Sequence, residues 1–384
     1  MERWIVFHSR GEVHGRSTVG LARADGSEVR HLKFDVAGQV SWGYGPAFRD
    51  GERIILISFD TEKTWERTCR SSLWLYNIGT GDLTEIAREN PPGAYVPACA
   101  LLPGEERVIV NPMINGKQTV MIMDLDGSNQ QAVTRFEDGF SYCVSLSPDA
   151  KRVAFHVAEA PNYHIVVTNL DGSGRTVIAA DPDHLYFGPT WSHDGEWLLY
   201  LDCHSPTDPG HEWADLCIGR PDGSEHRVVT QGQSHWFTTA YGGPDSTGGG
   251  SNMPRWSPEA MVATYTRTLA GSRPAWRHNP GSVGKKEFRL DYLPEEARGG
   301  TEICVLDPFG AGVTALTTLD SGARGHESRW DFRTAWSPDG RRIAFCRAFV
   351  GQPSELWVMN ADGSEQRFLT RGLHGLGADH PMWV

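Results

Sequence analysis

The chain has 384 residues, 39% of them hydrophobic, and a formal net charge of −12. Such an acidic protein is a poor candidate for a general nucleic-acid binder, which needs basic side chains to displace the counterions of phosphates. No apolar run approaches the roughly 20 residues of a membrane-spanning helix, so we expect no membrane partner. The 43 glycines and 23 prolines favour many short strands and turns over long helices.

The N-terminal segment, residues 1–7, shows no charged-then-apolar signal pattern and is typical of a β-strand. This predicts a cytoplasmic protein. The seven cysteines agree with that location, because no close C-x-x-C pair indicates a zinc or redox site. We therefore expect reduced thiols, most of them buried.

An internal repeat runs along the whole chain. Its first half is a strand, a tight turn and a second strand, clearest in the W-S-P-D-G segment at 336–345, with related copies at 48–56, 101–110, 146–155, 191–200 and 256–259. Its second half is a hairpin with Asp-Gly at the tip, at 19–27, 73–81, 120–128, 165–173, 216–224, 303–310 and 356–364. Two hairpins in each unit predict a four-stranded sheet, the blade of a β-propeller.

The repeat count predicts how the ends of the chain meet. The second half of the repeat occurs seven times and the first half only six times. The seventh copy of the first half is divided between residues 380–384 and residues 1–7. The sequence therefore predicts an all-β fold in which residues 1–384 form a single seven-bladed β-propeller. Its first blade is closed by the C-terminal strand, which removes exposed sheet edges.

Long loops concentrate on one face of this propeller. The turns within hairpins are short and uniform, whereas the opposite face carries insertions at 202–213, 232–252 and 268–300. Binding and catalytic residues commonly reside on such loops. Arg, His, Trp and Tyr are frequent in them, and this combination suits a sugar that bears carboxylates, because arginine binds a carboxylate as a two-pronged donor. We expect an acidic oligosaccharide as the ligand.

β-Elimination from such a sugar requires a base and a group that neutralises its carboxylate. We expect His235 or His211 to be the base, and Arg333 or Arg267 to hold the carboxylate. An ion pair of Arg333 with Asp331 or Glu327 is the alternative for that arginine. The expected substrate-binding residues are His204, Trp236, Tyr142, Tyr186, Trp330 and His380. His326 is a candidate metal ligand, and the expected cofactor is either none or a divalent cation, Mn²⁺ or Ca²⁺.

The W-S-P-D-G and D-G-S repeats resemble those of TolB-like propellers over essentially the whole chain. Among these, the chain is nearest in type to the oligogalacturonate lyases, which implies a cytoplasmic enzyme with a histidine base and a manganese ion held by histidines. His235 lies near the place of that base. The chain departs from the family at residues 331–334, where an H-P-H run is missing, and at Asp215, where the family has an arginine. A non-catalytic TolB-like propeller that binds a protein or glycan, and a glycoside hydrolase using the same pocket, remain alternatives.

Overall fold

The computed structural model of the protein describes residues 3–9, 17–42, 44–60, 70–88, 96–114, 117–159, 162–204, 213–231, 234–235, 242–244, 252–278, 289–310, 312–372, 375 and 377–384. Nearly all regular structure in these residues is β-strand. Short 3₁₀ turns occur at Phe136–Asp138, Pro294–Glu296 and Gly325–Glu327. None of the helices in this part of the chain is long and apolar enough to cross a bilayer.

The strands of the first third of the chain are β1 (Trp4–Ser9), β2 (Val19–Arg23), β3 (Val29–His31), β4 (Gln39–Ser41), β5 (Arg53–Phe59), β6 (Ser71–Asn77), β7 (Leu83–Arg88), β8 (Ala98–Leu101), β9 (Arg107–Val110), β10 (Met113–Ile114), β11 (Lys117–Gln118), β12 (Met121–Asp124) and β13 (Gln131–Ala132). The middle third contributes β14 (Phe140–Leu146), β15 (Arg152–Glu159), β16 (Asn162–Asn169), β17 (Thr176–Ala179), β18 (His184–Trp191), β19 (Leu198–His204), β20 (Trp213–Gly219), β21 (His226–Val228) and β22 (Ser234–His235). The last third contributes β23 (Arg255–Trp256), β24 (Ala263–Thr268), β25 (Trp276–His278), β26 (Arg289–Tyr292), β27 (Gly300–Leu306), β28 (Val313–Ala315), β29 (Arg329–Trp336), β30 (Arg342–Phe349), β31 (Glu355–Asn360), β32 (Arg367–Thr370) and β33 (Ala378–Trp383).

These strands pair as antiparallel groups of four, as the repeat predicts. Three groups are separate sheets, with the orders β33-β1-β2-β3, β4-β5-β6-β7 and β8-β9-β12-β13. The others follow one another along a continuous ladder as β14-β15-β16-β17, β18-β19-β20-β21, β23-β24-β27-β28 and β29-β30-β31-β32. The prediction of an all-β propeller is confirmed. We call β4, β8, β14, β18, β23, β29 and β33 the inner strands, because the first strand of each blade lines the central channel of a propeller.

The chain termini meet in one sheet. Strand β1 pairs antiparallel with the C-terminal strand β33, with Ile5 opposite Trp383 and Val6 opposite Met382. The apolar side chains of this sheet pack against those of the preceding group in a cluster that includes Ile5, Phe7, Ala344, Leu356, Val358, Ala378 and Trp383. The core therefore lies between the faces of neighbouring sheets.

The two repeat motifs are held by local hydrogen bonds. In the W-S-P-D-G turn the Ser337 hydroxyl donates to Asp339 at 2.6 Å, and this bond lowers the pKa of that carboxyl. In the hairpin tip, Asp362 accepts bonds from the backbone N–H and the hydroxyl of Ser364. Gly363 has φ 85° at this tip, and an added Cβ would come within 2.7 Å of a backbone carbonyl. Both motifs are thus turn-forming sequences whose polar side chains find hydrogen-bond partners within a few residues.

A belt of tryptophans joins consecutive groups near the channel. Each of these indoles ends an inner strand and donates its Nε1–H to a backbone carbonyl on the preceding inner strand. The bonds run from Trp191 to Ser145 at 3.0 Å, from Trp256 to Thr190 at 3.2 Å, from Trp336 to Arg255 at 3.3 Å and from Trp383 to Ala335 at 2.9 Å. The repeated tryptophan therefore occupies the same position in each of these inner strands.

Candidate functional site on the channel wall

Five inner strands or their direct extensions carry a left-handed residue at one equivalent position. These residues are Tyr44, Cys143, Gly188, Arg333 and His380, with φ between 47° and 63°. In β14, β18, β29 and β33 the strand register shifts at this point, which is the mark of a β-bulge. A bulge changes the direction of a side chain, and strained residues of this kind cluster at functional sites. This level of the channel wall is therefore a candidate location for a functional site.

A buried ion pair connects two inner strands at this level. The Nη1 group of Arg333 on β29 donates to a carboxylate oxygen of Asp379 on β33. The side chains of the two residues are 4% and 0% exposed. The backbone N–H of Arg333 also donates to Asn252 Oδ1 at 2.9 Å, so the arginine is held from both sides.

The ring of His380 is held by both members of this ion pair. Arg333 Nη1 lies 2.6 Å from His380 Nδ1, and Asp379 Oδ1 lies 3.2 Å from the same nitrogen. The side chain of His380 is 18% exposed. The contacts at Nδ1 therefore orient the ring.

Tyr44 covers this histidine with an exposed aromatic ring. The residue is 52% exposed, and its ring centroid lies 4.5 Å from that of His380. Its hydroxyl is 3.5 Å from His380 Nδ1. A half-exposed ring beside a polar cluster provides a face on which a sugar ring can stack. We refer to Tyr44, Arg333, Asp379 and His380 as the channel cluster.

A second histidine is anchored at the start of β18, in a different group of strands from those that carry the channel cluster. His184 Nδ1 lies 2.8 and 2.9 Å from the two carboxylate oxygens of Asp202, and its ring stacks on Tyr186 with an interplanar angle of 8°. Burial lowers the pKa of His184, but the hydrogen bond to Asp202 and the negative charge of that carboxylate outweigh burial, so the pKa is raised overall. Asp215 stands opposite Asp202 on the next strand. A histidine held by a buried carboxylate is a competent proton carrier.

The sequence matches no protein-family model and no curated protein. Solved structures with the same fold include TolB from Acinetobacter baumannii, 12% identical with a TM-score of 0.50 over 99% of this chain and 82% of that one. An oligogalacturonate lyase in complex with manganese is 13% identical, with a TM-score of 0.53 over 97% and 86% of the two chains. Puromycin hydrolase is also 13% identical, with a TM-score of 0.60 over 96% of this chain and 52% of that one.

The fold is that of a TolB-like β-propeller. Identities this low establish the fold alone, because one propeller scaffold supports many unrelated activities. The resemblance seen in the repeats is therefore confirmed for architecture. The function of this TolB-like propeller depends on its own side chains.

The two arginines expected to hold a carboxylate each face a carboxylate of the protein. Arg333 pairs with Asp379, as described above. Arg267 on β24 pairs with Glu302 on β27 at 2.8 Å, and this hydrogen bond raises the pKa of Arg267. Glu302 is 5% exposed and also accepts the backbone N–H of Leu319. Both guanidiniums are thus fixed within the TolB-like scaffold.

Asp331, one of the two expected partners of Arg333, is engaged elsewhere. Asp331 is fully buried and accepts two hydrogen bonds from Arg347, at 2.7 and 3.0 Å. Arg329 approaches the same carboxylate at 3.2 Å. Regular strand alternation would place Asp331 and Arg333 on one face, but the bulge at Arg333 interrupts it. Arg333 therefore finds its counter-charge on the neighbouring inner strand instead.

The expected substrate-binding aromatics are largely enclosed by the fold. Trp330 and Tyr186 are 4% and 6% exposed, which leaves little surface for a ligand. Tyr142 is half-buried against His156, with ring centroids 3.6 Å apart. His326 Nδ1 lies 3.2 Å from the carbonyl of Val350, which occupies one of its ring nitrogens.

The remaining expected residues lie partly or wholly outside the described part of the chain. His211 and Trp236 are outside it, as are the side chains of His204 and His235. The backbone of His235 is described, on the short strand β22 that bridges β20 and β24. Among the described residues, no three His, Cys, Asp or Glu side chains converge as a metal site requires.

Proposed function

We propose that this protein is a carbohydrate-active enzyme that cleaves uronate-containing oligosaccharides by β-elimination at the mouth of its channel. The observation that carries this proposal is the channel cluster, in which an exposed tyrosine ring lies against a histidine that a buried ion pair orients. The fold it shares with an oligogalacturonate lyase is compatible with this chemistry. An acidic oligosaccharide is the proposed ligand and the cytoplasm the proposed location.

We assign the base, the acid and the ring-stacking residue of this reaction to side chains of this chain. A base removes the proton from the carbon next to the carboxylate, the C–O bond at the neighbouring carbon breaks, and the electron pair forms the new double bond. We assign the base to His235, on β22 between two groups of strands. His380 acts as the acid: its imidazolium form, next to the Asp379 carboxylate, donates the Nε2 proton to the departing oxygen and becomes neutral. Tyr44 stacks on the sugar ring, and Arg333 positions His380.

The neighbouring lyase structure contains manganese, but the described residues of this chain do not form a comparable ligand set. We therefore assign no step of the proposed reaction to a metal ion. The proton transfers above require only side chains.

We also propose that the groups of four strands form seven blades, with the first blade closed by β33. The pairing of β1 with β33 supports this closure. The tryptophan belt supports it as well, because the bond from Trp383 to Ala335 joins the closing strand to the preceding group. A closed ring keeps the channel cluster rigid, since its members come from the last, first and second blades of this arrangement.

The proposal is tested by incubating the protein with a panel of uronate oligosaccharides and following the ultraviolet absorbance of the unsaturated product. We expect product from the native protein and a loss of at least about 100-fold in kcat/KM for His380→Ala, the usual size of a general acid's contribution. His193→Gln serves as the matched control, because His193 is exposed in a turn outside the cluster. Absence of product on every substrate, with and without Mn²⁺ or Ca²⁺, would rule out the lyase.

Non-catalytic binding is the second candidate function. It is favoured by the pairing of Arg333 and Arg267 with carboxylates of the protein, which limits their use in transition-state stabilisation. Calorimetric binding of the same oligosaccharides without any unsaturated product would support this candidate over the lyase.

A further inference from the structure

Arg255 occupies a fixed position on the inner strand β23. Its carbonyl accepts hydrogen bonds from Trp336 Nε1 and from Thr264 Oγ1, both at 3.3 Å. The residue directly precedes Trp256, one of the belt tryptophans. Its backbone is therefore locked to its own sheet and to the next one, and its long side chain starts from the channel wall.

The guanidinium of Arg255 has no counter-charge within the described part of the chain. No hydrogen bond or ion pair of its side chain is formed there, in contrast to the carboxylate partners of Arg267, Arg333 and Arg347. The residue is exposed, yet protein surrounds the guanidinium closely enough that burial lowers the pKa of Arg255. A side chain that lies inside a narrow channel is both accessible to solvent and closely surrounded by protein, as Arg255 is.

The side chain that interacts electrostatically with Arg255 is a thiol that stays neutral. Cys143 on β14 lies close enough for the two groups to interact electrostatically. Burial raises the pKa of Cys143 to about 12, even though the nearby Arg255 charge opposes this, and burial also raises the pKa of Cys99 to about 12. At neutral pH neither thiol supplies a negative charge, so the arginine remains an isolated cation.

We propose that Arg255 forms an anion-binding site in the channel that takes a small oxyanion, either a carboxylate or a phosphate. A guanidinium binds both groups through two parallel N–H donors. Low-dielectric channel walls strengthen the attraction by concentrating the field of the single positive charge. The residues at the matching position on the two adjacent inner strands, Thr190 and Ala335, have small uncharged side chains.

This site goes beyond the proposed reaction and does not depend on it, because it concerns binding and not turnover. Both the carboxylate of a sugar acid and inorganic phosphate have the required chemistry. A lyase assay without product leaves the anion site intact, and an absent anion site leaves the lyase assay unaffected. The two proposals can therefore fail separately.

The test is thermal unfolding of the full chain in galacturonate, acetate, phosphate or chloride at one ionic strength, which keeps general screening constant. We expect the midpoint of the native protein to rise with an oxyanion relative to chloride, because a ligand that binds only the folded state stabilises it. A response to galacturonate and acetate alone identifies a carboxylate site, and a response to phosphate alone identifies a phosphate site.

Two variants of Arg255 make the test specific. Arg255→Met is expected to lose the rise and, in chloride, to be at least as stable as the native protein, since it removes an unpaired charge. Arg255→Lys keeps the charge without the two-pronged donor and is expected to bind at least about tenfold more weakly. Arg88→Met, on the outer strand β7, is the control and should respond like the native protein. An undiminished rise in both Arg255 variants, or no rise in the native protein with any oxyanion, overturns the proposal.

Discussion

Arg333 and Asp379 stand on adjacent inner strands and form an ion pair from which solvent is almost entirely excluded. Removal of two charges from water is costly, and only their close contact and further hydrogen bonds compensate for it. Here the bonds from Arg333 to His380 and from its backbone to Asn252 supply that additional support. The Arg333–Asp379 pair thus contributes to the stability of the fold and also orients His380.

Replacement of Asp379 should be strongly destabilising. Asp379→Asn leaves the Arg333 charge buried without its partner, and the free energy of unfolding should fall by roughly 3–5 kcal/mol. Chemical denaturation monitored by tryptophan fluorescence measures this loss.

The double variant Arg333→Met with Asp379→Asn is the control for this prediction. It removes the charge that the single variant leaves unpaired, so it should be more stable than Asp379→Asn alone. Equal stability of the single variant and the native protein would show that the pair is solvated in solution.

Deletion of β33 should disrupt the proposed closure of the propeller. A chain that ends at residue 377 loses the partner strand of β1 and the bond from Trp383 to Ala335. The exposed sheet edge and the apolar surface of Ile5 and Phe7 should abolish a single cooperative unfolding transition and promote aggregation. A truncated chain that unfolds cooperatively at the native midpoint would contradict closure by this strand.

The pairing of His184 with Asp202 predicts a pH-dependent contribution to stability. Because the folded-state pKa of His184 is raised above its ordinary value of 6.5, the stabilisation is fully present below that value and is lost as the pH rises through the folded-state pKa. The difference in unfolding free energy between the native protein and Asp202→Asn should therefore be larger near about pH 5.5 than near about pH 8.5.

NMR titration of the same two proteins measures the histidine directly. The midpoint of His184 should lie above 6.5 in the native protein and fall in Asp202→Asn. An unchanged His184 midpoint in the variant would show that the carboxylate does not set its protonation.

The channel thiols should be unreactive in the folded protein. Burial raises the pKa values of Cys99 and Cys143 to about 12, so at about pH 8 roughly one thiol in ten thousand is ionised, and the thiolate is the nucleophile. In a Cys69→Ser background, reaction with a disulfide reagent should occur only on unfolding. Rapid labelling of either cysteine in the folded state would contradict their burial.

Local turn chemistry made the fold predictable from the sequence. The bonds between Ser337 and Asp339, and between Asp362 and Ser364, form within a few residues, so the repeated motifs locate hairpins without any tertiary information. The propeller class is confirmed on this basis. The number of blades and their closure depend on contacts between distant repeats, and they stay predictions.

The channel cluster was less accessible to sequence analysis for two physical reasons. The left-handed residues include Tyr44, Arg333 and His380, none of which carries the glycine signal that usually marks such a conformation. Arg333 and Asp379 are also 46 residues apart and meet only because neighbouring sheets place their inner strands side by side.

An alignment of the repeats on the belt tryptophan could have located part of this cluster. Arg333 lies three residues before Trp336, and His380 lies three residues before Trp383. Because the belt tryptophans occupy equivalent positions, this shared spacing places the two residues at one level of the channel. Arg255 is also found this way, directly before Trp256. The roles of these side chains depend on their partners, which only the three-dimensional arrangement provides.

A crystal structure of the protein with a bound uronate oligosaccharide tests the central claim most directly. We predict a sugar ring stacked on Tyr44, with a glycosidic oxygen within hydrogen-bonding distance of His380 Nε2. An oligosaccharide bound elsewhere on the protein at saturating concentration, with the channel cluster untouched, would contradict the assignment of function to this wall.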